Sequence, residues 1–131
     1  MRSAVLIVED ADTCATTLDV ALAAIPGIQV VFAASGLEAL RIMDDASPRI
    51  HLVLTDLNMP GMDGFELIRR IRAAPAHARV PVIVISGDTG ERTPELAFAA
   101  GANAYFQKPY SPAAVRQKVE LLLHANQEPD S

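Results

Sequence analysis

Five short runs of the chain, residues 4–8, 29–33, 51–55, 81–85 and 103–107, are rich in Val, Ile and Leu and mostly lack polar alternation. A strand with one wet face alternates apolar with polar residues, so runs of this kind predict strands buried on both faces. Between them apolar residues recur at helical spacing: Leu18, Leu22 and Ile25; Leu37, Leu40 and Met43; Phe65, Ile68 and Ile71; Leu96 and Phe98; Val115, Val119 and Leu122. Helices therefore alternate with strands. Local chemistry supports the boundaries. Ser35-Gly36 opens the second helix, Ser111-Pro112 supplies a hydroxyl cap followed by proline in the first turn, and Gly101 closes the fourth helix. Right-handed crossovers then give a doubly wound α/β domain, a parallel sheet with helices on both faces. The domain is expected over residues 1–125, with a polar, frayed tail over 126–131.

Four of the strands end in a polar group. Glu9-Asp10 follows the first, Asp56 the third, Ser86 the fourth and Lys108-Pro109 the fifth. In such sheets ligands collect beyond the carboxyl ends of the strands, where strand order reverses, so these groups are the candidate site. Asp56 also enters a loop rich in Gly and Pro, Leu57-Asn58-Met59-Pro60-Gly61-Met62-Asp63-Gly64, where a core has no use for a carboxylate.

Composition narrows the class. At 131 residues, half of them hydrophobic, the chain is one compact domain, and no apolar run approaches the length of a membrane span. A cytoplasmic location is expected, with no membrane partner. The net charge of -5 disfavours nucleic acid as a direct partner. Arg69, Arg70 and Arg72 read as the solvated face of a helix. The lone Cys14 reads as a small buried hydrophobe, and His51, His77 and His124 are too scattered to form a zinc set.

Glu9, Asp10 and Asp56 would bring three carboxylates to one sheet edge, where repulsion calls for a cation. A hard divalent ion such as Mg²⁺, satisfied by one or two carboxylates, a carbonyl and water, is the simplest answer. Lys108 and the Ser86 hydroxyl add what a transferring phosphoryl group needs: charge neutralisation and fixed donors. Asp56 is then the nucleophile, forming an acyl phosphate, with Gly87 leaving room for the incoming group and Asp88 placed to orient water. Taken singly, Glu9-Asp10 also fits a plain acidic helix start, Ser86 a turn and Lys108 a solvated charge. An EF-hand reading fails because Pro60 and Leu67 stand at ligand positions. A phosphatase with paired aspartates fails because the second aspartate is Asn58.

Together these motifs resemble the receiver domain of response regulators in two-component signalling, of the chemotaxis-regulator type, over nearly the whole chain. The resemblance implies a flavodoxin-like sheet of five strands in order 2-1-3-4-5 with five helices. It implies a phosphoprotein in a phosphorelay: Mg²⁺-dependent phosphorylation of Asp56 by a histidine kinase or phosphotransfer protein switches a surface for an unknown downstream protein. In the family pattern Asp10, Asp56 and the Asn58 carbonyl bind the ion, Glu9 acts largely through water, and Ser86 and Lys108 hold phosphoryl oxygens. Such a domain is not a metabolic enzyme; it catalyses only its own phosphorylation and slow hydrolysis. The alternative is a receiver-like module that binds its partner independently of phosphate, and homodimerisation is left open. Three structural expectations accompany this reading. The Lys108-Pro109 peptide is cis, the fourth helix starts late with Thr93 as cap and Pro94 in its first turn, and Ser86 and Tyr105 form a switch pair in which the ring turns inward when the site is charged.

Overall fold

The computed structural model describes residues 3–10, 12–45, 49–88 and 90–127. Strands and helices alternate throughout: β1 (Ser3–Val8), α1 (Asp12–Leu22), β2 (Ile28–Ala33), α2 (Gly36–Asp45), β3 (Ile50–Thr55), α3 (Gly64–Ala73), β4 (Val82–Ser86), α4 (Thr93–Ala100), β5 (Ala104–Gln107) and α5 (Pro112–Gln127). All five strands are parallel, in the order β2-β1-β3-β4-β5.

The absence of polar alternation in the strands has a direct cause. Successive side chains point to opposite faces, and both faces of β1, β3 and β4 are covered, whereas β2, expected to be buried on both faces, is only half-buried at the sheet's edge. Ala4, Leu6 and Val8 of β1 join Val53, Val82 and Val84 against Ala39 and Met43 of α2, Leu67, Ile68 and Ile71 of α3, and Ala97 of α4. Val5 and Ile7 join Leu52, Leu54, Ile83 and Ile85 against Leu18 and Leu22 of α1 and Val115, Val119 and Leu123 of α5. Truncating a fully buried member such as Ile68 to Ala would cost about 2–5 kcal/mol. Among the described residues no helix is long and apolar enough to cross a membrane.

The helix signals of the sequence act as expected at three ends. Ser35 Oγ accepts from Glu38 N at 3.1 Å while Glu38 Oε1 reaches back to Ala34 N at 2.8 Å, a reciprocal cap for α2. Ser111 Oγ accepts from Ala114 N at 3.2 Å at the head of α5, and Gly101 ends α4 with φ 121°.

Several expectations need correction. Leu96 and Phe98 of α4 are exposed, and the helix buries Thr93 and Ala97 instead. Thr93 is the first helical residue and Arg92 holds the cap position without a side-chain bond. Leu37 is likewise exposed, with Ala39 turned to the core in its place. Arg72 is not a solvated face residue: its guanidinium donates to Val80 O at 2.7 Å, Gly101 O at 2.8 Å, Asn103 Oδ1 at 2.8 Å and Ala78 O at 3.1 Å. Helix α5 runs through Gln127, past the expected start of the tail at Asn126. The Cys14 side chain and Thr89 lie outside the described residues.

Candidate functional site

The chain passes from β1 outward to β2 and then back across to β3, so the carboxyl ends of β1 and β3 lie side by side at the reversal of strand order. Glu9 and Asp56 are the residues that follow those two strands. Their backbones are tied into the sheet, Glu9 N to Ala33 O at 3.0 Å and Asp56 N to Val8 O at 3.2 Å. Both are buried, at 8% and 7% exposure.

Lys108, just beyond β5, reaches across to them. Its Nζ lies 3.0 Å from Asp56 Oδ2 and 3.5 Å from Glu9 Oε2. One ammonium thus faces two buried carboxylates, and the group of three carries a surplus negative charge. Asp56 Oδ1 accepts from Asn58 N at 3.0 Å, which fixes the rotation of the carboxylate. The lysine is held at its root as well: Lys108 N donates to Ser86 O at 2.8 Å, and the Lys108-Pro109 peptide is cis, as expected.

Ser86, the last residue of β4, is wholly buried, and its Oγ accepts from Asp88 N at 3.0 Å. That bond leaves the hydroxyl proton available to donate. Asp88 Oδ1 is engaged by Gly90 N at 2.8 Å, which shapes the loop ahead of α4. A Cβ at Gly87 would meet only Lys108 Cδ, at 3.8 Å, so ordinary contact rather than lack of room governs that position.

Gly64 carries a constraint that the sequence reading did not assign. A Cβ there would lie 2.7 Å from Leu57 Cα, and Gly64 N donates to Leu57 O at 2.9 Å. The start of α3 therefore presses against the backbone that carries Asp56. Asp63 caps that helix through Glu66 N at 2.9 Å, so the loop from Asp56 to Gly64 is pinned at both ends.

Asp10, the remaining member of the expected cluster, is exposed beside Glu9. Among the described residues no group of three His, Cys, Asp or Glu side chains is gathered closely enough to enclose an ion by itself. The donor set still suits Mg²⁺, which takes oxygen ligands and retains several waters, so that one or two carboxylates and a carbonyl suffice. The surplus negative charge of Glu9, Asp56 and Lys108 is the feature that favours a cation there.

Tyr105 in β5 packs against the core shared by α3 and α4, and its buried hydroxyl has no hydrogen-bond partner among the described residues. The ring is therefore at least partly inward in this structure.

Residues 5–120 match the response regulator receiver domain family. Chemotaxis protein CheY1 of Helicobacter pylori is 31% identical over 92% of this chain and 97% of its own. Among solved structures, the signal receiver domain of a signal transduction histidine kinase from Syntrophus aciditrophicus superposes with a TM-score of 0.86 at 29% identity, covering 98% of this chain and 96% of that one. A response regulator from Chloroflexus aurantiacus gives 0.85 at 32% identity, over 94% and 98%.

Proposed function

The chain belongs to the response regulator receiver domain family of two-component signalling, and on that premise we propose that Asp56 is its phosphoacceptor and that the charged site controls a protein-binding face. The observation that carries this reading is the buried Asp56 carboxylate held between Asn58 N and Lys108 Nζ.

Asp56 meets the needs of a nucleophile. Each carboxylate oxygen is oriented by a hydrogen bond, and the group sits at the mouth of the sheet, where a phosphodonor can approach. Attack by a carboxylate oxygen on phosphorus forms the P–O bond of an acyl phosphate and breaks the donor's P–N bond, the nitrogen of a phosphohistidine leaving. The Lys108 ammonium, already 3.0 Å from Asp56, then neutralises phosphoryl oxygens, and the Ser86 hydroxyl donates its spare proton to another. Asp10, Asp56 and the Asn58 carbonyl would hold Mg²⁺, with Glu9 acting through water, and the ion supplies charge neutralisation on the transferring group when bound. Slow loss of the phosphoryl group to water returns the site to rest, so the only reaction catalysed is the protein's own.

Output is proposed to run through α4, β5 and α5. Leu96 and Phe98 of α4 are 46% and 49% exposed, an apolar surface that a downstream protein would cover. Charging Asp56 draws the Ser86 hydroxyl toward the phosphoryl oxygens, which alters the space beside α4 available to Tyr105. Both proteins that charge the site and proteins that read it are partners on this view: a histidine kinase or phosphotransfer protein, and an effector.

Incubation with acetyl phosphate and Mg²⁺ should add one acid-labile phosphoryl group, seen by intact-protein mass spectrometry, and Asp56→Asn should abolish it. Equal labelling of the variant would remove Asp56 from its role. No labelling of either protein would favour a module that binds its partner independently of phosphate.

A further inference from the structure

The sheet has two outer edges, and the one formed by β2 has the pattern of a strand that pairs with its own copy. Its inner ladder fixes which backbone groups face outward. Ser3 N donates to Gly27 O at 2.9 Å and Glu9 N to Ala33 O at 3.0 Å, so odd-numbered residues of this segment turn N–H and C=O toward β1. In a strand these directions alternate, and Ile28, Val30 and Phe32 therefore turn theirs to the outside. The next outward N–H, that of Ala34, is capped by Glu38 Oε1. The three before it have no such cap among the described residues.

Exposed edges are ordinarily protected by charged side chains, proline, bulges or brevity. Ile28–Ala33 has six residues, Ile-Gln-Val-Val-Phe-Ala, with neither charge nor proline, and it pairs with β1 in unbroken register. The opposite edge, β5, has four residues and leads directly into Lys108. Phe32 leaves 46% of its surface in water on the β2 edge.

We propose that β2 pairs antiparallel with β2 of a second copy of this chain, about a two-fold axis at Val30, joining the two sheets into one. The register follows from the outward groups. Residues that exchange both backbone bonds must stand opposite one another, which sets Val30 against Val30 of the second copy and Ile28 against Phe32. The side chains agree with the backbone. Ile28, Val30 and Phe32 share one face of the sheet, where Ile28 and Val30 already pack toward the core under α1 and α5, and the half-exposed phenyl ring meets a β-branched side chain. An uncharged, self-complementary edge selects its own copy over a charged foreign segment.

The helices permit this approach. Helix α1 packs over β1 and β2 on one face and α2 over the same strands on the other. With strands about 4.8 Å apart, corresponding helices of the two copies would come to lie about 10 Å apart, an ordinary helix-packing distance.

Analytical ultracentrifugation of the intact chain under reducing conditions, from micromolar to millimolar concentration, should show a species of twice the 14.0 kDa monomer mass, and Phe32→Lys should sediment as monomer throughout. A wild-type chain that stays monomeric over the whole range, or a Phe32→Lys chain that dimerises as readily, overturns the proposal. Should Phe32→Lys lose its fold by circular dichroism, Val30→Cys in a Cys14→Ser background decides. Paired Cα atoms at the axis would lie about 5.5 Å apart, within disulfide reach, so mild oxidation should give a cross-linked dimer, whereas Val20→Cys on the exposed side of α1 should not. Failure of Val30→Cys to cross-link, or equal cross-linking of the two variants, sinks the pairing.

Discussion

Two residues of the site are placed at an evident cost, and both costs are measurable. Lys108 faces the carboxylates of Asp56 and Glu9 at 3.0 and 3.5 Å, so removing the ammonium takes a positive charge away from beside two buried carboxylates. In metal-free buffer Lys108→Ala should lose about 1–3 kcal/mol, discounted toward the lower end because the lysine is partly exposed. Asp56→Asn should lose nothing or gain slightly, since the ammonium then balances Glu9 alone. Urea midpoints with unchanged slopes would establish this order. Tyr105 is the second case: its hydroxyl is buried without a partner among the described residues. Burying the ring gains apolar area while stranding the hydroxyl costs about 1–3 kcal/mol, an opposition of terms on which the proposed switch would draw. Tyr105→Phe should therefore stabilise the protein by about 1 kcal/mol. If it destabilises instead, the hydroxyl has a partner and the switch reading loses its energetic basis.

Arg72 does at the scale of elements what no turn residue could do. From the last turn of α3 it gathers the carbonyls of Ala78 and Val80 ahead of β4, and Gly101 O with Asn103 Oδ1 between α4 and β5. Asn103 Oδ1 also accepts from Val82 N at 2.9 Å, so one guanidinium fastens the approaches to two strands. Burial lowers its affinity for a proton from the usual arginine value, yet an arginine remains a cation. Arg72→Ala should cost about 2 kcal/mol and raise amide exchange in residues 101–103. Arg72→Lys should recover only part, because an ammonium cannot reproduce the planar fork. An exchange pattern unchanged by Arg72→Ala would show that the clamp is redundant. The sequence could not reveal this role, since the partners are three backbone carbonyls and one asparagine side chain, the last 31 residues away. The central strands β1, β3 and β4 were legible because both of their faces are buried, which removes polar alternation. Helix α4 was read on the wrong face: in eight residues, Leu96 and Phe98 dominate any apolar count, while the positions that fit under the helix belong to the smaller Thr93 and Ala97. Glu9, Asp56, Ser86 and Lys108 were recognisable because strand ends impose their location. Gly64 was recognised only as part of a loop, because its tight contact with Leu57 appears in three dimensions alone.

Across the whole molecule the two edges of the sheet have different tasks. The carboxyl edge holds Glu9, Asp56, Ser86 and Lys108, whereas the amino edge carries a fixed irregularity. The ladder of β1 with β3 shifts between Ala4 and Val5, where Ala4 faces Ile50 and Val5 faces Leu52. His51 is the extra residue, and its Nδ1 accepts from Ala4 N at 3.1 Å in place of a strand carbonyl. Partial burial first, and the neighbouring charge of Arg49 second, hold the imidazole below its ordinary value, with a backbone hydrogen bond at Arg49 opposing them. A histidine with a depressed folded value binds its proton more readily in the unfolded chain. Its contribution to stability is therefore complete above the ordinary value of 6.5 and is lost as pH falls from there through the folded value. Protonation also turns Nδ1 from acceptor to donor, which breaks the bond to Ala4. His51→Gln retains an acceptor and does not titrate. The difference in unfolding free energy between wild type and His51→Gln should thus shift against wild type as pH is lowered below neutrality, while phosphoryl incorporation at Asp56 responds equally in both proteins. A constant difference across that range would show that the imidazole is protonated alike in folded and unfolded chains, and the amino edge would then need another explanation for its bulge.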